Sequence, residues 1–328
     1  MNGILLRELR SLYNLAACIA TTVILLVSHT TSAADATQYV RYTDGVTISY
    51  GILDGDKVHE LDGDLFSNPE PTGRSHSLSK VFLLLPVDPE KVTHVVGVAG
   101  NTSWRADSGR PRPTVLHPRW FTKSPTSLNT WDGDIEIYPE AENLDWEGEL
   151  VLVIGKKGRH ISVEDAPDHI FGVAVGNDVS ENTWYSEGMR MVEGSNWPRS
   201  DTNIPTKMLS KSPDTWAVLG KSIVTGVDYS DLRVTIKQND VLVGDGRTSN
   251  MINSPARLVS YLSRYITLLP GDLIYTGTVP STDANPGRMV AGDVVEIEIE
   301  SVGLVRNKVV EVTEPFPLKP LDESSAGD

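Results

Sequence analysis

Cysteine is almost missing from this sequence of 328 residues, because Cys18 is the only one. It lies in a segment that we predict to be removed, which would exclude disulfides, thiol nucleophiles and cysteine metal sites from the mature chain. Three common active-site signatures are missing too: a complete phosphate-binding loop, a G-x-S-x-G nucleophile elbow and an H-E-x-x-H zinc helix. The chemistry of this chain must therefore rest on other groups.

Basic residues are also fewer than acidic ones. Lysine and arginine total 29 against 44 aspartates and glutamates, which gives a net charge of −15 and a pI near 4.9. A surface of this sign repels polyanions, so we predict no nucleic-acid partner and no attraction to anionic membranes. A local basic pocket can still bind a small anion, and Arg105, Arg110, Arg112 and Arg119 concentrate positive charge in one stretch.

The N-terminus differs from the rest of the chain. A mostly apolar run, Leu15 to Val27, follows two arginines and is short for a membrane span, and small residues follow at 32–34. This order is typical of a secretory signal peptide cleaved near Ala33 or Ala34. We predict that residues 1–34 are removed and that the protein is periplasmic or secreted, with no stable membrane span after cleavage. An uncleaved N-terminal membrane anchor is the alternative.

Short apolar segments between turns dominate the remaining chain and predict a β-dominated α+β fold, a roll or sandwich with few helices. We predict a small β-rich N-terminal domain at residues 35–92, a larger metal-binding catalytic domain at 93–315 and a disordered tail at 316–328. The best helix candidate is Ala256–Leu268, where apolar residues follow helical spacing. Strands are predicted, among other places, at Trp120–Lys123, Ile135–Tyr138, Gly148–Ile154, Phe171–Asn177, Ala217–Val224, Leu232–Gln238, Leu273–Thr276, Val294–Ile299 and Leu304–Val310.

Three acidic residues carry the strongest functional signal. Glu147 and Glu149 are two apart at the start of the predicted strand that runs to Ile154, so their side chains project to the same face. Neighbouring carboxylates repel, and a divalent cation is the simplest remedy. Asp178 ends the next apolar segment and is placed to supply a third oxygen. Oxygen ligands with open positions suit Mg²⁺ or Mn²⁺, although an isolated E-x-E also fits a solvated edge strand.

Several short motifs occur in a characteristic order along the chain. They are Phe121-Thr122-Lys123-Ser124-Pro125-Thr126-Ser127-Leu128, Trp146-Glu147-Gly148-Glu149-Leu150, Val175-Gly176-Asn177-Asp178-Val179-Ser180, Lys211-Ser212-Pro213-Asp214-Thr215, Leu269-Pro270-Gly271-Asp272, Thr276-Gly277-Thr278 and Gly292-Asp293-Val294-Val295-Glu296. Together, in this order, they resemble the fumarylacetoacetate hydrolase family over roughly residues 93–312. This resemblance implies the mixed β-sandwich roll of that family.

The resemblance also implies roles for individual positions. The E-x-E pair and the aspartate of N-D-V-S would bind Mg²⁺ or Mn²⁺. Lys211 would face the substrate as a catalytic group, and Thr278 with Gly277 would meet a substrate carboxylate. We also assign Lys123, in the F-T-K-S-P-T-S stretch, to substrate binding.

The chain departs from the family at the residues that activate water. Family hydrolases usually carry an N-Y-x-x-H-x-x-E stretch, but Arg105 stands at the histidine position and Ser108 at the glutamate position. Arginine is not a base at neutral pH. We therefore predict Asp107 or His117 as the replacement base, although either is also a plain loop residue, and Arg105 as a group that pairs with a substrate carboxylate.

These observations predict a Mg²⁺- or Mn²⁺-dependent enzyme that acts on a small anionic dicarbonyl or 2-oxo acid. The first hypothesis is hydrolytic C–C cleavage of an acylpyruvate-like compound. A decarboxylase, isomerase or dehydratase that uses the same metal site is the alternative, because none of these needs a water nucleophile. An exported, non-catalytic binding protein is the third hypothesis. By analogy with the family, we also expect a homodimer.

Overall fold

The computed structural model describes residues 36–102, 115–186 and 208–312. The predicted signal peptide (1–34) and the predicted tail (316–328) lie outside the described residues. Twenty strands and two α-helices, α1 (Asn182–Ser186) and α2 (Pro255–Ser263), occupy the described part together with short 3₁₀ turns. The strands are β1 (Thr37–Thr43), β2 (Ile48–Asp54), β3 (Lys57–Asp62), β4 (Glu70–Ser77), β5 (Phe82–Leu84), β6 (Val95–Ala99), β7 (Arg119–Lys123), β8 (Leu128–Asn129), β9 (Ile135–Ile137), β10 (Leu144–Asp145), β11 (Gly148–Ile154), β12 (Ile170–Asp178), β13 (Ser180–Glu181), β14 (Ala217–Leu219), β15 (Ile223–Thr225), β16 (Arg233–Gln238), β17 (Val241–Arg247), β18 (Leu273–Tyr275), β19 (Val294–Ile299) and β20 (Gly303–Glu311).

Two large sheets form the body of the described chain. A 13-stranded sheet has the main order β4-β3-β2-β1-β15-β12-β11-β18-β6-β7, and a five-stranded sheet has the order β17-β16-β19-β20-β9. Most neighbours are antiparallel, but β18–β6, β14–β8 and β20–β9 are parallel. The predicted β-dominated mixed fold is confirmed. The N-terminal strands β1 to β4 extend the large sheet through the pairing of β1 with β15.

The central strand β11 has a hydrophobic core on each of its faces. Its even-numbered residues, such as Leu150 and Leu152, belong to a core shared with Ile236 and Ile297 of the five-stranded sheet. Its odd-numbered residue Val151 belongs to a second core with residues of β6 and β18. This alternation follows from the two-residue period of a strand and explains why the whole segment is apolar. It also puts Glu149 on the same face as Val151.

Two predicted elements differ from the structure. Helix α2 ends at Ser263, five residues before the predicted end: the amides of Arg264 and Tyr265 donate to carbonyls three residues back, and the amide of Leu268 donates to the distant Gly158 O at 2.9 Å. The predicted strand 217–224 is split into β14 and β15, because Gly220 to Ser222 leave the ladder between them. In both places long-range hydrogen bonds override the local pattern.

A pair of stacked tryptophans lies beside the large sheet. The rings of Trp184, on α1, and Trp216 are 5.9 Å apart at an interplanar angle of 20°. Trp216 is fully buried, and its indole Nε1 donates to Glu136 O at 2.8 Å. Its carbonyl accepts from the amide of Val179 at 3.0 Å, so the pair is tied to the end of β12. No helix in the described part of the chain is long and apolar enough to cross a membrane.

Candidate metal centre

Three carboxylates converge at the adjoining ends of β11 and β12. Ligand oxygens of Glu147, Glu149 and Asp178 all lie within 4.8 Å of one another. Glu149 is paired with Gly176 across the two strands, so Asp178 is its diagonal neighbour on the same face. Glu147 directly precedes β11, whose bounds are the predicted ones.

Backbone hydrogen bonds fix Glu147 beside the strand ends. Its amide donates to Asn177 Oδ1 at 2.9 Å, and its carbonyl accepts from the amide of Asp178 at 2.9 Å. Glu149 and Asp178 are buried, whereas the Glu147 side chain is 21% exposed. The cluster therefore has two enclosed carboxylates and a third that reaches solvent.

Lys123 supplies the first counter-charge. Its Nζ donates to Asp178 Oδ1 at 2.5 Å and to Val179 O at 3.0 Å, and the side chain is fully buried. Burial lowers the pKa of Lys123, while the Asp178 charge acts in the opposite direction. The sequence assigned Lys123 to substrate binding. The structure directs its ammonium at a carboxylate of the cluster, and substrate binding by Lys123 stays a prediction.

Lys211 supplies the second counter-charge. Its Nζ donates to Glu147 Oε1 at 2.8 Å, to Asp178 Oδ2 at 3.1 Å and to Ser180 Oγ, and it lies 4.6 Å from the centre of the Phe121 ring. Burial acts to lower the pKa of Lys211, but the two carboxylates outweigh it and the pKa is raised. Lys211 is therefore an ammonium at neutral pH, a hydrogen-bond donor and not a base.

The pKa values of the two enclosed carboxylates move in opposite directions. Burial, followed by the charges of Asp178 and Glu147, raises the pKa of Glu149 well above its usual range. Burial also acts to raise the pKa of Asp178, but Lys123 and Lys211 outweigh it, and that pKa is lowered. The one described donor to Glu149 is the amide of Gly277, 2.6 Å from Oε2.

The remaining predicted site residues are placed differently. The amide of Gly277 is directed at Glu149, and Thr278 next to it is half-buried, with its hydroxyl 3.4 Å from Val279 O. His117 is exposed, and its Nδ1 lies 3.2 Å from the hydroxyl of Tyr261 on α2. The predicted substrate group Arg105 and the predicted base Asp107 lie outside the described residues. The roles of all of these residues stay predictions.

Sequence reasoning missed two polar groups beside the cluster. Ser180 Oγ donates to Glu147 Oε1 at 2.6 Å. Asp145, two residues before Glu147, accepts from Asn182 Nδ2 at 3.2 Å, and burial together with the Glu147 charge raises its pKa to about 6. The spacing D-x-E-x-E was a signal for Asp145, because alternate residues of an extended segment share a face.

The donor set fits a hard divalent cation. Three carboxylates at the strand ends offer oxygen ligands, and among the described residues two buried ammonium groups face them. Crowded carboxylates in a protein interior repel strongly unless a cation lies among them. Oxygen-only ligation suits Mg²⁺ or Mn²⁺.

Two known family models match this chain. Residues 94–310 match the family model described as fumarylacetoacetate (FAA) hydrolase C-terminal, and residues 37–86 match one described as Rv2993c-like, N-terminal.

Named relatives are about one third identical to this chain over the aligned residues. It is 34% identical over 204 residues to the human protein called oxaloacetate tautomerase FAHD2A, mitochondrial, a match that covers 60% of each chain. It is 34% identical over 241 residues to the Xenopus laevis protein called oxaloacetate tautomerase fahd2, mitochondrial, which covers 71% of this chain and 70% of the relative. The chain thus spans about 60% of the length of the human relative.

A solved structure agrees with the fold. The crystal structure of 2-hydroxyhepta-2,4-diene-1,7-dioate isomerase from Mycobacterium marinum superposes with a TM-score of 0.70 at 30% identity. The match covers 85% of this chain and 100% of that one.

Proposed function

The chain belongs to the fumarylacetoacetate hydrolase family, and from this premise we propose that it is a divalent-metal-dependent enzyme that interconverts the keto and enol forms of a small 2-oxo dicarboxylic acid. The observation that carries the proposal is the buried carboxylate trio faced by two ammonium groups, in a chain whose water-activating positions hold Arg105 and Ser108. Keto–enol exchange needs stabilised oxygen charge and no activated water. The names of the relatives, oxaloacetate tautomerase and dioate isomerase, support the same reaction class.

Glu147, Glu149 and Asp178 would hold the cation, with Mg²⁺ or Mn²⁺ the ions that best suit their oxygens. When bound, the ion supplies Lewis-acid stabilisation of negative charge on the oxygens of a 2-oxo acid. The protein's part is to keep the three carboxylates ionised and aligned. Lys123 does so for Asp178, because its ammonium is held at 2.5 Å in a buried environment.

Lys211 would stabilise the charge that develops on the substrate oxygen. Its ammonium is fixed by Glu147, Asp178 and Ser180, so little reorganisation is needed when that charge appears. Thr278 and Arg105 are the groups that we propose for the substrate carboxylates. The sequence predicts Asp107 or His117 as the proton carrier, and we favour Asp107, because the His117 ring is exposed and lies against Tyr261.

Hydrolytic C–C cleavage of an acylpyruvate-like compound is the second candidate. The family model itself is named for a hydrolase, and the same trio and lysine would serve that reaction. It demands an activated water in addition, and losing a general base typically costs about 10²–10⁴-fold in rate. We therefore rank it below the tautomerase. Decarboxylation and dehydration of a 2-oxo acid need no activated water, and we rank them lower because the names of the relatives are those of a tautomerase and an isomerase.

The test is turnover by the purified protein with added Mg²⁺ or Mn²⁺. Enol oxaloacetate and an acylpyruvate are offered in parallel, and the decay of the enol absorbance and the release of pyruvate are followed. We expect enol–keto conversion that EDTA and Glu149→Ala abolish. Pyruvate released from the acylpyruvate without enol–keto conversion would favour the hydrolase, and pyruvate released from oxaloacetate faster than in the metal-only control would favour the decarboxylase. Tight binding of the acid with no turnover would favour the non-catalytic binding protein.

We further propose that the mature protein is exported after removal of residues 1–34, that it divides into domains near residue 92 and that it forms a homodimer. Determining the N-terminal residue of the protein purified from its native cells tests the first point. Limited proteolysis tests the second, and light scattering tests the third. An intact N-terminus in a membrane fraction would favour the uncleaved anchor.

A further inference from the structure

One peptide unit next to the carboxylate trio is hydrogen-bonded from both sides. The carbonyl of Thr276 accepts from Asn101 Nδ2 at 2.9 Å, and the amide of Gly277 donates to Glu149 Oε2 at 2.6 Å. These two groups belong to the same peptide, which is planar, and in its trans form the C=O and N–H point in opposite directions. The bond from Asn101 therefore sets the direction of the N–H that meets Glu149.

The side chain of Asn101 has no freedom of its own. It is buried, and its Nδ2 also donates to Asn253 O at 3.0 Å. Its Oδ1 accepts from the amide of Asn253 at 2.8 Å and from Asn253 Nδ2 at 3.0 Å. A side-chain amide has two donor hydrogens and two acceptor lone pairs, so all of its capacity is used. If the side-chain amide were flipped, its NH₂ group would face the two donors of Asn253 and its oxygen would face two carbonyl oxygens.

Close packing holds the same peptide in place. Gly277 has φ of +108°, and a Cβ there would lie 2.9 Å from Asn101 Cβ and 3.1 Å from Val98 O. A glycine is required on both counts. On the other side, the amide and hydroxyl of Thr276 both donate to Leu150 O, at 3.1 and 2.8 Å, which attaches the turn to β11 next to Glu149.

We propose that Asn101 is a positioning residue for Glu149 and acts through the Thr276–Gly277 peptide. Glu149 is buried and lies among like charges, and the Gly277 amide is its described donor. Losing the direction of that N–H leaves the carboxylate free to rotate away from the other two ligands. This inference rests on the proposed function, because it assumes that the trio binds a divalent cation.

Groups that orient metal ligands typically contribute about 10–100-fold to metal affinity or activity. The experiment therefore measures the dissociation constant for Mn²⁺, by titration of the full-length protein, in the parent, Asn101→Ala and Asn101→Ser. Melting temperatures are recorded without metal. Two variants are used because serine keeps a hydroxyl in the turn and is the milder change if alanine does not fold.

Asn307 offers a matched control. It is buried too, and its Nδ2 donates to two backbone carbonyls, Thr130 O at 3.1 Å and Gly133 O at 2.7 Å, on a loop with no described contact to the trio. Asn307→Ala should lower the melting temperature and leave Mn²⁺ affinity within twofold of the parent.

We expect the folded Asn101 variant to bind Mn²⁺ about 10–100-fold more weakly than the parent. Mn²⁺ binding within twofold of the parent would overturn the inference, and so would an equal loss of affinity in Asn307→Ala. These failures differ from failure of the proposed function, in which the parent itself would bind no Mn²⁺.

Discussion

Buried carboxylates at two sites of this protein, Glu60 and the metal centre, differ in how their negative charge is stabilised. Glu60, on β3, accepts hydrogen bonds from Arg74, from Tyr42 at 3.4 Å and, at 3.1 Å, pairs with the ring of His76. The hydrogen bond from Arg74 is the main reason why the pKa of Glu60 falls to about 2. In the metal centre, Glu149 meets like charges, and its pKa rises.

The difference lies in the count of donors for each carboxylate. Glu60 is one negative charge among several donors, so ionisation stabilises the folded N-terminal strands. Among the described residues, three carboxylates share two ammonium groups in the metal centre, and Glu149 contacts neither of them, so ionisation of Glu149 works against folding until a cation is added. We infer that Glu60 serves the structure and that the trio serves the reaction.

Removing a trio member should have the largest effect on function. We expect Glu149→Gln to lower turnover by at least about 10²–10³-fold, because one oxygen ligand is lost where charge develops. We also expect its melting temperature without metal to equal or exceed that of the parent, because a buried charge is removed. Enzyme assays and thermal unfolding with and without Mn²⁺ test both. A fully active variant would contradict the assignment of the trio.

Removing a counter-charge should have the largest effect on stability. We expect Lys123→Met to lower the free energy of unfolding by about 3 kcal/mol, because it breaks a buried pair and leaves Asp178 short of a partner. Arg74→Met is the comparison: the Arg74 side chain is 71% exposed, and we expect about 1 kcal/mol or less. Urea unfolding at neutral pH measures both. Equal losses of unfolding free energy in the two variants would contradict the distinction between the metal centre and Glu60.

The contribution of Glu60 to the free energy of unfolding should decrease as the pH falls. Its pKa in the folded protein, about 2, lies below the usual 4.5, so the ionised form stabilises the fold above about pH 4.5. That contribution is lost as the pH falls through about 2. The difference in unfolding free energy between the parent and Glu60→Gln should therefore be constant above pH 5 and shrink in acid. Turnover per folded molecule should be unchanged, and a constant difference down to pH 2 would contradict this role.

The smallest effect is expected at His117. Its exposed ring faces Tyr261, so we expect His117→Ala to change turnover by less than about twofold, whereas loss of a general base costs about 10²–10⁴-fold. Steady-state kinetics with Asp107→Asn as the companion variant distinguish the two predicted bases. A large loss of turnover in His117→Ala would instead assign the role of base to His117.

The sequence was sufficient for elements whose pattern is local. Strand β11 has the predicted bounds, Gly148 to Ile154, because a continuous apolar run between turn residues leaves few alternatives. The closeness of Glu149 and Asp178 follows from the pairing of the adjacent strands β11 and β12, which puts Gly176 opposite Glu149 and Asp178 two residues further along the same face. The order of the motifs then gave the family, which residues 94–310 confirm.

Local patterns were insufficient where distant residues decide. Nothing near Lys123 indicates that its ammonium meets Asp178, 55 positions away. Asn101 and Thr276 are 175 positions apart, and their hydrogen bond exists only because parallel pairing brings β6 beside β18. The break between β14 and β15 has the same origin, because the two segments pair with β12 in different registers, with Leu219 opposite Gly176 and Val224 opposite Val173.

The stacked pair Trp184 and Trp216 gives this protein an optical reporter at the site. Both indoles are shielded from water, and the chain reaches Trp216 only five residues after Lys211. Indole emission shifts to longer wavelength as polarity around the ring increases. The difference in emission between the parent and Trp216→Phe would therefore follow rearrangements around Lys211 in real time, without any attached dye.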